Sequence, residues 1–358
     1  MKKAAMLLNT MAMLFGRYQL FFMTVWPFSA TVLLSSKIKL NMFTVIHLYY
    51  FIICFISFMF VLITAEYSQD IFYPVKCLIS IFLSFLSGAM LVRTPKDQSV
   101  FVDTIAISCI VLFILSLIGI DPFNEQWIGG AYNGFFANRN GCAFFLTLIA
   151  CYYLGSFTEL GKKRDLLFFL LLSAIVLFTL SRIGFGLITI MFVYLTLHII
   201  RKNPFLYLPI ILLTFLIAVG TLGSSIFEHR MFVQMVLLLS GEGHNVSERF
   251  AVYQFAINLL EDVPIYGYGF YKFGDLSPYL QTHAHNIFLQ GFVDLGVLFV
   301  PIFLGYTYLF LNALRCLLVN KACARSLVFI SYIIFSLVTL PIATPTSALI
   351  LGLLYRKG

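Results

Sequence analysis

Long apolar runs broken by short polar stretches set the hydrophobic pattern of this chain from end to end. About twelve segments stand out, at 4–16, 18–36, 42–64, 74–92, 100–120, 141–156, 166–181, 183–200, 205–222, 287–314, 326–341 and 345–355. A helix that crosses a bilayer needs about 20 apolar residues, and most of these segments approach that length. The apolar residues come in blocks and not in alternation, which excludes a transmembrane β-barrel. The pattern predicts an all-α, polytopic integral membrane protein with about twelve transmembrane helices. The first, sixth, seventh, eleventh and twelfth segments are short and are candidates for tilted partners or half-helices.

Composition agrees: 61% of the residues are hydrophobic and 11% are charged, where a soluble domain carries roughly 25% charged residues. The formal net charge of +8 does not point to nucleic acid, because its distribution is that of a membrane topology signal. Basic residues fill every second loop: Lys2 and Lys3, Lys37 and Lys39, Arg93 and Lys96, Lys162 to Arg164, Arg201 and Lys202, Arg315 to Arg325, then Arg356 and Lys357. Short basic loops stay in the cytoplasm, so both termini are expected there. The basic, apolar N-terminal stretch is read as a retained first helix. The chain is then a single membrane domain, 1–358, with one large outer loop, 223–286, between spans. The seven cysteines show no metal-type spacing and read as small apolar fillers.

Some arginines fall on the outer side, where the charge rule disfavours them. In NGFFANRNGCAFFL, Asn138, Arg139 and Asn140 lead into a helix that Asn140 could cap. Arg139 is either an interfacial residue or, with the helix N-terminus, part of an anion site. In FTLSRIGFGLITI, Ser181 and Arg182 break an apolar run of about 35 residues, which demands two helices and a tight outer turn. Arg182 either snorkels or offers bidentate donors to a phosphate. The stretch after Ser247 has helical periodicity through Phe250, Tyr253 or Gln254, Ile257 and Leu260. With Ser247 as the cap, Arg249 lies in the first turn, where the helix dipole disfavours a cation, so a functional role outweighs a structural one. Pro264 stops this helix, and Gly267 and Gly269 supply a turn.

THAHNIFLQGFVDLG follows. In extended chain His283 and His285 share one face, at the start of the next span. A metal site lacks further ligands, and a satisfied structural histidine is the plain alternative. A histidine with the ordinary pKa of about 6.5 also suits removal of a hydroxyl proton, which is the reading preferred here. Together the arginines and the histidine outline one outer-face site for a lipid diphosphate whose tail lies between helices.

At these motifs the sequence resembles the O-antigen ligase and polymerase superfamily, the Wzy-like bacterial membrane glycosyltransferases. The resemblance rests on SRIGFG, on ERFAVYQFAINLLEDVPIYGYGF with its Pro-x-x-Gly-x-Gly ending, on His285 and Asn286 followed by Gly296, and on NRNGCAFFL. It covers about 140–300. It implies metal-independent, inverting glycosyl transfer at the periplasmic face of the inner membrane, without a cofactor. The donor would be an oligosaccharide on undecaprenyl diphosphate. Carried over, Arg182 and Arg249 hold the diphosphate, with Arg139 as a looser candidate. His285 is the base, Arg249 shares the catalytic role, and His283, Asn286, Gly267 and Gly269 support them. The one departure is Phe299, where ligases tend to carry a small or hydroxyl residue.

The polymerase, which joins lipid-linked repeat units, is preferred over the ligase, which moves finished polymer to the lipid A core, although the two share donor, site and topology. A transporter of the same lipid-linked sugar should show internal repeats and ionisable residues near the midplane; no repeat is found. Tyr253, Tyr266, Tyr268, Tyr271 and Tyr279 are candidates for stacking sugars. Besides the donor lipid and the bilayer, a chain-length regulator is the one protein partner considered, and the sequence itself carries no sign of it.

Overall fold

The computed structural model describes residues 42–64, 95–120, 139–202, 244–278, 284–319 and 323–338, most of 127–136, and a few positions between 75 and 82. The first, second, ninth and twelfth predicted segments, and most of the fourth, lie outside the described residues. The described elements are α1 (Met42–Thr64), α2 (Pro95–Leu117), β1 (Trp127–Ile128), β2 (Ala131–Tyr132), α3 (Arg139–Leu160), α4 (Lys163–Phe178) and α5 (Arg182–Lys202). They continue with α6 (His244–Glu261), α7 (Phe273–Leu276), α8 (Ile287–Leu295), a 3₁₀ turn (Gly296–Phe299), α9 (Val300–Leu318) and α10 (Cys323–Ser336). Among the described residues, five stretches are long and apolar enough to cross a membrane: Val45–Ile63, Gln98–Leu117, Arg139–Leu160, Arg182–Ile199 and Ile287–Leu318. Apart from the antiparallel β1–β2 pair, the described residues are helical wherever they are regular.

The chain divides into two compact units. One holds 109–250 and 316–331. Its heart is α3, which packs on α4 and α5 and is buried along most of its length. The links 161–162 and 179–181 are so short that the three helices alternate in direction. Lys162, Lys163 and Arg164 therefore gather at one end of this set, and Arg139, Ser181 and Arg182 at the other. A helix of about 20 residues is about 30 Å long, the thickness of a bilayer's hydrocarbon core. At the lysine end the buried Asp165 accepts from Ser156 Oγ at 2.6 Å and from Arg164 Nε at 3.3 Å, which satisfies a carboxylate that burial would otherwise penalise. At the arginine end the Trp127, Tyr132, Phe113 and Phe178 rings pack together, as aromatic side chains do where a membrane meets water.

Small residues let backbones meet in this unit. A Cβ at Gly155 would meet the Ala324 backbone of α10 directly, and one turn earlier Cys151 Sγ lies 3.1 Å from Ser331 Oγ. Lipid offers helices no hydrophobic gain on meeting, so close packing of this kind carries the association. Ile190, Val193 and Leu197 form an exposed stripe on α5, the face such a helix turns to hydrocarbon.

The other unit holds 1–108, 251–315 and 332–358. Helix α1 packs on α8 and also on α9: Ile46 fills the space over Gly305, and the buried His47 Nε2 lies 3.0 Å from Tyr306 OH. The segment predicted as one helix over 287–314 is broken. α8 ends at Leu295, Gly296 turns with φ +56°, and a 3₁₀ turn leads into α9. Below it lies α6, whose inner face is Val252, Phe255, Ala256, Leu259 and Leu260, packed on Phe273, Ala284 and Val293. This is an i, i+3, i+4, i+7, i+8 stripe. It differs from the predicted face: Gln254 and Ile257 are exposed, because the small Ala256 marks the contact line. The helix also begins at His244 and not after Ser247.

Gly155→Ala is expected to destabilise the protein by about 1–3 kcal/mol or more, because the added methyl meets backbone that cannot move aside. Thermal unfolding of the detergent-purified variant, and its abundance in membranes, check this; an unchanged midpoint would refute the close crossing.

Candidate active site

In the unit built on α3, two helix N-termini meet. The Ser181 hydroxyl donates to Asn140 Oδ1 at 3.0 Å, tying the first turn of α3 to the entry of α5. Ser181 also caps α5: its Oγ accepts from Gly184 N–H at 3.4 Å, and its carbonyl accepts from Phe185 N–H. Leu180 just before it has left-handed backbone, φ +51°. Arg139 and Arg182 are the first residues of α3 and α5; Arg139 is half-buried and Arg182 exposed. Helix N-termini carry partial positive charge that disfavours cations and attracts anions. Two arginines thus stand on two such termini. Asn140 lies inside the helix, which starts at Arg139. Its side chain therefore bridges to Ser181, in place of the expected cap.

In the other unit a second cluster forms around α8. Asn286 caps the helix, its side chain accepting from Phe288 N–H at 2.9 Å and Leu289 N–H at 3.2 Å. Ala284 is fully buried, and its N–H donates to Gln290 Oε1 at 2.8 Å. Between these anchors stands His285, half-buried, with φ +52°. This is not the extended chain expected for a His-x-His pair. Left-handed backbone costs an L-residue roughly 1–2 kcal/mol and persists only where the surroundings enforce it.

The glycine turn docks on the far end of α8. Tyr268 N–H donates to Val293 O at 2.9 Å, Gly269 N–H to Asp294 O at 3.0 Å, and Val297 N–H to Ile265 O at 2.9 Å. Tyr271 N–H, again on left-handed backbone (φ +69°), reaches Asp294 Oδ2 at 3.2 Å. The Phe273 N–H also points to this carboxylate. Gly267 (φ +78°) has no room for a Cβ against Asp294 O and Leu295 N, and Gly296 has none against the carbonyls of Pro264 and Ile265. Gly269 (φ +114°) is closed off by Val61.

Among the predicted site residues, the structure thus joins Arg139 to Arg182 through the Asn140–Ser181 bond. It joins His285, Asn286, Gly267 and Gly269 through α8. Arg249 lies on α6, in its second turn because that helix starts at His244. The dipole argument for Arg249 weakens there, since the effect fades beyond the first turn; its side chain is outside the described residues, as are His283 and Tyr279. Of the other tyrosines, Tyr266 is exposed, while Tyr253 and Tyr268 bond through their hydroxyls to backbone carbonyls of Leu337 and Asp262. Sequence reasoning missed Gln290 and Asp294. The signal for them was present: an amide and a carboxylate four residues apart inside an apolar segment.

Residues 167–304 match the family model of O-antigen ligase, so the resemblance to the O-antigen ligase and polymerase superfamily holds over that span. The matched region contains Arg182, Arg249, Gly267, Gly269, His283, His285, Asn286 and Gly296, and leaves Arg139 outside. No curated protein is significantly similar to the chain.

Two glycine substitutions test the docking of the turn. Gly296→Ala is expected to cost more than about 1 kcal/mol, since its φ is positive and its Cβ position is filled. Gly186→Ala in α5, where the Cβ position is open, is expected to be neutral or slightly stabilising. Comparable thermal midpoints for the two purified variants would refute the tight approach of the turn to α8.

Proposed function

We propose that this protein is an O-antigen polymerase of the bacterial inner membrane. In this reading it has about twelve spans, cytoplasmic termini and a periplasmic site, and it joins undecaprenyl-diphosphate-linked oligosaccharide repeat units. The observation that carries the reading is His285. It is held in strained left-handed backbone between the Ala284–Gln290 bond and the Asn286 cap, at the mouth of a membrane-length apolar stretch. Strain of this kind, enforced from both sides, is characteristic of functional positions.

The reaction follows from these groups. The acceptor hydroxyl oxygen attacks the anomeric carbon of the donor sugar, and the His285 imidazole takes the hydroxyl proton. The bond from the anomeric carbon to the diphosphate oxygen breaks, and its electron pair leaves with the lipid diphosphate. Attack opposite the leaving group inverts the anomeric centre. The charge that develops on the diphosphate is met by Arg182 and Arg249, with Arg139 and the N-termini of α3 and α5 adding to the field.

The matched family model is that of O-antigen ligase, and this observation favours a second reading: transfer of finished polymer to the lipid A core. Phe299 speaks for the polymerase. Its ring is buried and fills the space over Gly291, in place of the small or hydroxyl residue of ligases.

Deleting the gene and running the lipopolysaccharide on a gel separates the two. Core with a single repeat unit and no ladder is expected; bare core, with polymer left on its carrier, would overturn the polymerase in favour of the ligase. In the same strain, His285→Ala is expected to lower transfer about 10²–10⁴-fold, as loss of a general base does. Arg182→Ala and Arg249→Ala are expected to lower it about 10²–10³-fold, as loss of a charge-stabilising donor does. A full ladder from any of these variants would remove that residue from the site.

A further inference from the structure

We propose that Gln290 and Asp294 are positioning residues for His285, setting through a relay of hydrogen bonds where its imidazole stands; this rests on the reading of His285 as the proton acceptor. Both side chains are buried, at 8% and 4% exposure, within an apolar stretch of membrane-spanning length. Groups of this kind are costly there unless each polar atom is engaged, and each is. Gln290 Oε1 accepts from Ala284 N–H at 2.8 Å, and Gln290 Nε2 donates to Asp294 Oδ1 at 2.8 Å. Asp294 Oδ2 accepts from Tyr271 N–H at 3.2 Å. Spaced four apart on α8, the two side chains lie on one helix face.

The relay begins one residue before His285. On the other side of His285 stands the Asn286 cap. The backbone of His285 is therefore clamped at both neighbours, and Gln290 provides one of the two clamps. Asp294 fixes the amide of Gln290: it demands a donor at Nε2, so Oε1 must face Ala284. Its second oxygen is committed to Tyr271, so the glycine turn and the histidine turn are held in register by one carboxylate. A displacement of the base by even a fraction of an ångström lowers the chemical step, with little effect on the affinity for a donor held by its diphosphate.

The relay can be inverted without being broken. With Gln290→Glu and Asp294→Asn together, the new carboxylate accepts from Ala284 N–H and from the new amide. The carbonyl oxygen of that amide still accepts from Tyr271 N–H. Each change alone sets two acceptors or two donors against each other. Turnover of the cognate undecaprenyl-diphosphate-linked oligosaccharide, extracted from the source strain, is measured with purified, monodisperse full-length protein in detergent. Gln290→Glu and Asp294→Asn are each expected to lose about tenfold to a hundredfold in kcat with little change in donor KM, and the double variant to regain most of it.

A double variant as slow as the singles, a double variant that does not fold, singles with wild-type kcat, or losses confined to KM would each overturn the relay. If a single variant does not accumulate, the folded double variant decides by its own kcat: near wild type upholds the relay and loss overturns it. His285→Ala separates this proposal from the one it rests on. Full turnover there removes the base itself, and with it the relay. An inactive His285→Ala beside an unrescued double variant removes the relay alone.

Discussion

A buried backbone N–H must find an acceptor, and in this protein that requirement falls on a turn that belongs to neither helix nor sheet. Between Pro264 and Tyr271 the chain donates to the last carbonyls of α8, to a side chain of α1 and to the Asp294 carboxylate: Tyr268 to Val293, Gly269 to Asp294, Phe270 to Ser57 Oγ, Tyr271 to Asp294 Oδ2. An orphaned donor in such a place would cost about 1–3 kcal/mol. The acceptors are reached only if two backbones nearly touch, and only residues without a Cβ allow that. Gly267 and Gly296 follow from this one demand, while Gly269 is closed off by the Val61 side chain. So does the break that divides the apolar stretch Ile287–Leu318 into α8 and α9. The short helix α8 then presents a capped N-terminus at Asn286, and its start fixes His285.

The arginine-bearing end of α3 and α5 obeys a different logic. Arg139 and Arg182 both stand where a helix dipole opposes them, by about 0.3–1 kcal/mol each. The Ser181–Asn140 bond brings the two termini together, which increases the unfavourable field. Helix N-termini and arginines alike attract anions. Trp127 and Tyr132 pack together at the same end, as side chains suited to the membrane surface.

How much of this could be read beforehand varied with the physics involved. The apolar segment 42–64 coincides with α1, and 183–200 lies within α5, because blocks of apolar residues leave a bilayer protein few alternatives. The tight turn at Ser181 was legible from length alone, since one helix of about 35 residues is too long for one crossing. The start of α6 at His244 was not legible: a serine before an apolar run signals a cap, but nothing in the local sequence forbids an earlier start. The inner face of α6 was misread because bulk suggested Ile257, whereas the contact line follows Ala256, a residue whose smallness is what admits the neighbouring elements. The histidine motif was recognised as a pair of residues in extended chain. His285 instead has left-handed backbone, next to the Ala284 bond to Gln290, whose amide is bonded in turn to Asp294. Hydrogen bonds between separated side chains and backbone leave no periodicity in the sequence, so the relay remained hidden although every one of its members was in view.

The two anchors on α8 also define a segment by what they leave out. Tyr271 is tied to Asp294, and Ala284 to Gln290, so the chain between these two residues is closed at both ends on one helix. The entropic penalty for closing such an excursion grows only by about 0.6 kcal/mol for each doubling of its length. A change of length within it therefore costs little in closure, provided that Phe273, buried against α6 with its N–H on Asp294, keeps its place.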